Sequence, residues 1–180
     1  VILVSAVGFV QWQNYNHEMR AQSSAKFYEA AKMIDKKQLV EANEVLAELA
    51  SDGTEGYNIL AKFRAAGIKS EMGNHEAAGQ IYAALAAEAG IKKLYRDLAK
   101  LYSIMQRIDN DDTADLSNEL NALISKDNPW RFTARELAGV LALQQEDIPT
   151  AEKYFNMLAD DPMTPAGLRQ RAGEILQAIR

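Results

Sequence analysis

Apolar residues recur along most of the chain with the period of an α-helix, and short polar breaks interrupt them. The breaks contain glycine, aspartate, asparagine and proline, which end helices, as at Asp52-Gly53, Gly73-Asn74 and Asp127-Asn128-Pro129. The pattern predicts nine helices, at 15–36, 39–51, 55–72, 74–89, 91–108, 113–126, 130–145, 148–161 and 165–179. Because alternating β-branched runs are nearly missing, we predict an all-α fold.

The stretch from Met72 to Leu85 holds the clearest repeat unit. A Gly-Asn turn is followed by Ala78, by Tyr82 four residues later and by Leu85 three residues further. This order resembles the second helix of a tetratricopeptide repeat. In that family a small residue on each helix lets two helices cross closely, while the aromatic fills the groove to the next pair.

The same arrangement recurs in the fourth helix pair, where Gly139 precedes Ala151 by twelve residues and Phe155 follows. That spacing also joins Ala30 to Ala42 and Ile104 to Leu116, so small or apolar anchors recur at 30, 66, 104 and 139. The resemblance implies a tetratricopeptide-like right-handed superhelix of about four helix pairs with a C-terminal capping helix.

The repeat spacing conflicts with the hydrophobic pattern in the first two pairs. It assigns core positions to charged residues, namely Lys26, Glu29, Lys62 and Lys69. Other residues form better apolar stripes, namely Phe27, Ala31, Ile34, Leu60, Phe63 and Gly67. The sequence therefore predicts the helix pairs without deciding which side of these helices is buried.

The first ten residues are apolar or small, and Trp12 and Tyr15 follow without any lysine or arginine beside them. Ten residues rise about 15 Å as a helix, roughly half the thickness of the hydrocarbon layer of a bilayer. We interpret residues 1–14 as the end of a truncated transmembrane or signal-anchor helix, and residues 15–180 as the tetratricopeptide-like domain. Two other interpretations stay open: the apolar part of a cleaved signal peptide, or an apolar first helix that packs on the core.

Three further segments resemble one particular family. These are Tyr95-Arg96-Asp97-Leu98-Ala99, Asn128-Pro129-Trp130-Arg131 with Ala134-Arg135-Glu136-Leu137, and Pro165 with Leu168-Arg169-Gln170-Arg171-Ala172. They are similar to bacterial ancillary Sec-translocon subunits with a tetratricopeptide-like domain. The resemblance implies a single-pass protein of the bacterial inner membrane, with its soluble domain in the periplasm. Translocon or periplasmic chaperone components would be its partners.

Composition argues against several other functions. The net charge is −5, and acidic and basic residues are mixed, so no basic stripe is available for nucleic acid. The chain has no cysteine, and its two histidines, His17 and His75, belong to no metal-ligand or catalytic pattern. Asp109–Asp112 lacks the glycine and terminal glutamate of a calcium loop, and Asp112 or Thr113 is expected to cap a helix there. We therefore predict no enzyme activity, no cofactor and no metal.

The sequence predicts a scaffold that binds proteins or peptides. Candidate groove residues are apolar and lie on the first helices of the pairs: Phe63, Leu101, Met105 and Val140. Trp130 is expected to anchor the space between the third and fourth pairs, with ligand stacking as the alternative. Four arginines, Arg131, Arg135, Arg169 and Arg171, form either a basic surface or ordinary mixed charge. The rival function is a structural subunit that oligomerises, for example through the helix from Tyr15 to Lys36; the oligomeric state stays open.

Overall fold

The computed structural model describes the backbone of residues 2–179 and the side chains of 7–54 and 56–179. Within these ranges the chain forms nine α-helices and no strand, which confirms the predicted fold class. The helices are α1 Ile2–Asp35, α2 Leu39–Asp52, α3 Glu55–Glu71, α4 His75–Ala87, α5 Lys93–Arg107, α6 Thr113–Asn121, α7 Arg131–Gln144, α8 Ile148–Asp160 and α9 Ala166–Ala178.

Local capping explains where several of these helices begin and end. The Asp112 carboxylate accepts from the backbone N–H of Ala114 at 2.8 Å, which starts α6 as predicted. Gly73 has a φ of 79°, so glycine suits the turn between α3 and α4. The helix predicted to continue to residue 126 instead ends at Asn121, where the chain tightens and Leu123 N–H donates to the Leu120 carbonyl at 2.8 Å.

The chain divides into two compact units, Val1–Ile81 and Tyr82–Arg180. In the first, α1, α2 and α3 enclose one apolar core, with buried Ala30, Ile34, Ala42, Leu46, Leu49, Ala61, Ala65 and Ile68. In the second, α5, α6 and α7 share a core around Leu101, Ile104, Leu116, Leu120, Leu123, Ala134, Ala138 and Leu141. A third cluster joins α7, α8 and α9 through Phe132, Ala142, Ala151, Phe155, Leu158, Ala172 and Leu176.

Helix α1 runs unbroken for 34 residues, through the predicted boundary at residue 14. Its side chains from Val7 to Tyr15 are exposed, so this part does not pack on the core. In the described part of the chain, no helix is both long enough and apolar enough to cross a membrane. The predicted single-pass inner-membrane location is therefore wrong; Val1 and the side chains of 2–6 lie outside the described residues.

Candidate binding surface

An apolar stripe runs along α5, formed by Tyr95, Leu98, Tyr102 and Met105, and we call it the α5 stripe. The spacing of three, four and three residues places these side chains on one face of the helix. Tyr95 is 38% exposed, Tyr102 36% and Met105 44%, while Leu98 is half-buried. The Tyr102 ring lies against Tyr82, with 5.1 Å between the ring centroids. The stripe thus presents two aromatic rings and a flexible thioether to solvent.

An adjacent side of α5 carries the core of the second unit. Leu101 is only 1% exposed and packs with Ile104 in the cluster that includes Leu116. A residue buried in this way offers no surface to a ligand, so Leu101 does not belong to an open groove. Of the predicted groove residues on α5, Met105 alone is exposed.

The other two predicted groove residues lie outside α5. Val140 is half-buried and packs against the core of α7, α8 and α9. Phe63 is half-buried on α3 in the first unit. The structure therefore does not gather the four predicted residues into one site. Tyr95, Leu98 and Tyr102 were not among the predicted groove residues, although their helical spacing with Met105 in the sequence could have identified them.

An ion-pair cluster holds the C-terminal end of α5. Arg107 donates to both carboxylate oxygens of Glu119 on α6 at 3.0 Å and to Asp111 at 3.0 Å. Burial by itself lowers the pKa of Arg107, but the hydrogen bonds and charges of Glu119 and Asp111 outweigh it, so the net pKa is raised. Arg107 stays charged, and the pairs fix α5 against α6.

The repeat positions chosen from the sequence lie in the interior. Ala78, Tyr82, Gly139, Ala151 and Phe155 are all buried. A methyl group added at Gly139 would lie 2.8 Å from Cζ and 2.9 Å from Cε2 of the Phe155 ring. Helices α7 and α8 therefore approach so closely at this crossing that the ring occupies the space of a side chain.

A comparison with protein families agrees with this arrangement of helix pairs. A family model described as a tetratricopeptide repeat-like domain matches residues 1–170. The chain belongs to the tetratricopeptide repeat-like family. Comparisons with curated proteins and with solved structures find no match. The finer likeness to ancillary Sec-translocon subunits stays a prediction.

Tetratricopeptide repeat-like domains generally mediate protein–protein interaction and are typically non-catalytic scaffolds. In the described part of this domain, no three histidine, cysteine or acidic side chains are grouped in a way that could hold a metal ion. His17 is exposed on α1 and His75 is exposed at the start of α4.

Trp130 of the tetratricopeptide repeat-like domain joins the chain before α7 to the start of α5. Its indole Nε1–H donates to the Leu94 carbonyl at 2.9 Å, and its backbone N–H donates to Asn128 Oδ1 at 2.9 Å. Asn128 is buried and donates in turn to Asp97 on α5 at 2.9 Å. Trp130 also packs against the core cluster of α5, α6 and α7, and this packing together with the indole hydrogen bond favours the anchoring role over ligand stacking.

The four arginines near the C-terminal end all make hydrogen bonds within the domain. Arg135 donates to Asp161 at 3.2 Å, and Arg171 donates to Glu136 at 2.9 Å. Arg169 donates to the carbonyls of Pro162 and Thr164 at 2.8 Å, and Arg131 donates to the Asn128 carbonyl at 3.2 Å. The backbone N–H of Met163 holds the pKa of Asp161 below its ordinary value, and Arg135 lowers it further. Arg135 is buried, whereas Arg169 and Arg171 are exposed, so mixed surface charge describes only the exposed arginines.

Proposed function

We propose that this domain is a non-catalytic scaffold whose α5 stripe contacts an apolar face of a partner protein. The supporting observation is the continuity of Tyr95, Leu98, Tyr102 and Met105 on one exposed helix face. Single exposed apolar residues are ordinary on protein surfaces, whereas contiguous ones mark interaction sites. Partner helices commonly place their own apolar residues against such a face at intervals of three, four and seven. Phe63 and Val140 remain candidates for additional contacts.

Site-specific crosslinking tests this proposal. A photoreactive amino acid replaces Met105 on the α5 stripe, and in a second variant it replaces Ile148, which is 37% exposed at the start of α8. Irradiation in the native cells should crosslink a protein at position 105 and not at position 148. Equal yields at both positions would contradict the proposal.

The captured partner then allows an affinity measurement with the purified domain. Met105→Glu should weaken binding roughly tenfold or more, because a buried methionine contributes about 1.5–3 kcal/mol and a buried carboxylate is disfavoured. Ile148→Glu is the matched control and should leave the affinity unchanged. An unchanged affinity with Met105→Glu would remove the α5 stripe from the interface.

The identity of the partner is a finer proposal, supported only by the resemblance of Asn128–Arg131 and Leu168–Ala172 to ancillary Sec-translocon subunits. It states that translocon or chaperone proteins are among the partners. The same crosslinked material, analysed by mass spectrometry, tests it. Recovery of unrelated proteins only would reject this identity and leave the scaffold function standing.

Self-association is the second candidate, because the N-terminal part of α1 exposes large apolar side chains: Val7, Phe9, Val10, Trp12 and Tyr15. The C-terminal part of α1, which was also predicted to oligomerise, already packs within the chain, since Ala30 and Ile34 are buried against α2 and α3. Light scattering after gel filtration measures the mass. A dimer that dissociates when Trp12 and Tyr15 become serine would support this candidate, and a monomer at millimolar concentration would reject it.

A further inference from the structure

A cleft of about 100 Å³ lies between α1 and the C-terminal end of α2 in the first unit. Met19, Ser23 and Lys26 line one side of it, and Glu48, Asp52 and Gly53 line the other. A volume of this size has room for several water molecules, and so for the end of one long side chain. The cleft is separate from the α5 stripe, which lies in the other unit.

The floor of the cleft is held in place by hydrogen bonds and close packing. The buried Ser23 hydroxyl donates to the Met19 carbonyl at 2.9 Å and accepts from the Thr54 N–H at 3.2 Å. A Cβ at Gly53 would lie 2.3 Å from the Leu49 carbonyl oxygen and 2.9 Å from Leu49 Cδ1. Glycine at this position therefore lets the chain turn tightly against Leu49 at the end of α2.

The charge of the cleft is negative. Asp52 is the last residue of α2, Glu48 lies one turn earlier, and the last turn of α2 contains no basic residue. The final carbonyl groups of a helix lack partners within the helix and carry the negative end of its dipole. Of the side chains that line the cleft, all in the described part of the chain, Lys26 alone is cationic, and it already pairs with Glu48. Asp52 accepts from the neighbouring Ser51 hydroxyl at 2.8 Å, and the Leu49 carbonyl accepts from the Gly53 N–H at 2.9 Å. The negative charge of Asp52 and the later carbonyl groups of α2 remain to attract a second cation.

We infer that this cleft takes the cationic end of an arginine or lysine side chain from a protein partner. Asp52 and the last carbonyl groups of α2 accept its N–H donors, and Met19 packs against its methylene groups. Glu48 is shared between the incoming cation and Lys26, so Lys26 competes with the ligand. The inference rests on the proposed scaffold function only in that a partner protein supplies the side chain.

Peptide titrations followed by amide NMR shifts of the isotope-labelled full chain test the inference. The probe is a pentapeptide, acetylated at its N-terminus and amidated at its C-terminus, with a central arginine that has a leucine on each side. The control peptide has glutamine in place of the arginine. The arginine peptide should shift the amide signals of Ser23 and Gly53 and bind more tightly than the glutamine peptide. A single unit charge near 4 Å at a solvated site corresponds to roughly a fivefold difference in affinity.

Two variants should change the affinity in opposite directions. Asp52→Asn removes an acceptor charge and should weaken binding of the arginine peptide roughly fivefold, whereas Lys26→Met removes the competing cation and should strengthen it. Asp52→Asn should not impair folding, because an acidic residue at a helix C-terminus is unfavourable. Glu41→Gln is the control: Glu41 is exposed on α2 about 10 Å along the helix from Glu48 and about 16 Å from Asp52, beyond the screening length at physiological salt.

Three results would overturn the inference: equal affinity for the arginine and glutamine peptides, shifts confined to other amides, or an unchanged affinity with Asp52→Asn. Matching shifts with calcium chloride alone would assign the cleft to a metal ion and would also overturn it. Met105→Glu should leave the peptide affinity unchanged. If a partner crosslinks at position 105 but the arginine peptide does not bind in the cleft, the inference about the cleft is rejected and the scaffold function stands.

Discussion

Replacing Gly139 by alanine tests the closest helix crossing in the second unit. The added methyl group would meet three atoms of the Phe155 ring at 2.8, 2.9 and 3.1 Å. Ordinary carbon–carbon contacts lie near 3.5–4.0 Å, so the ring or the helix must move by roughly 0.5–1 Å. Phe155 is fully buried between α7, α8 and α9, so the ring has no solvent-filled space to enter.

Two opposing effects determine the result. Overpacking of this kind costs about 1–3 kcal/mol, while alanine in place of glycine within a helix contributes about 1 kcal/mol of stability. Gly173 in α9 separates the two effects, because a methyl group there would meet nothing within 4 Å. Gly173→Ala should therefore stabilise the protein, and Gly139→Ala should be about 1–3 kcal/mol less stable than Gly173→Ala.

Thermal and urea unfolding provide the assay, with circular dichroism for the whole chain. Trp130 fluorescence in a Trp12→Phe background reports on the second unit alone, since Trp12 lies in the first. For a chain of this length the expected difference in Tm is roughly 2–12 °C. Phe155→Leu should nearly abolish the difference between the two alanine variants, because leucine lacks the ring atoms that clash. A difference below about 0.5 kcal/mol with Phe155 intact would refute the close approach of α7 and α8.

Three further predictions concern the second unit. Trp130→Ala should lower the free energy of unfolding by about 2–3 kcal/mol because the indole is half-buried, and Trp130→Phe by about 1 kcal/mol through the lost bond to Leu94; urea unfolding measures both. The hydroxyl and backbone N–H of Thr150 hold the pKa of Asp147 below its ordinary value. The ionised Asp147 carboxylate therefore stabilises the folded protein fully above about pH 4, and this stabilisation disappears as the pH falls through the lowered pKa. Melting curves of Asp147→Asn and wild type should therefore differ at pH 7 and converge once the pH falls below the lowered pKa of Asp147. Deleting residues 164–180 removes α9 from the third cluster and should cause aggregation or loss of cooperative melting; a monomer with an unchanged curve would contradict its role as a cap.

Local interactions determined much of the secondary structure, so the sequence alone was sufficient there. Helix α2 was predicted at 39–51 and observed at Leu39–Asp52, and α8 was predicted at 148–161 and observed at Ile148–Asp160. Capping by Asp112 and the glycine turn at Gly73 also depend on neighbouring residues only. Helix boundaries follow from such short-range bonds, which explains the agreement.

The repeat spacing predicted the buried anchors Ala30, Ala66, Ile104 and Gly139, but on helices with apolar residues on several sides tertiary packing decided which other residues are buried. On α3 the core side holds Ala65, Ala66 and Ile68, while Leu60 is exposed, although the apolar pattern favoured Leu60. On α5, packing against α6 and α7 places Leu101 in the core and leaves its neighbour Tyr102 partly exposed to solvent. Successive residues of a helix differ in direction by about 100°, so when apolar residues occur on several sides, only the neighbouring helices select the buried one.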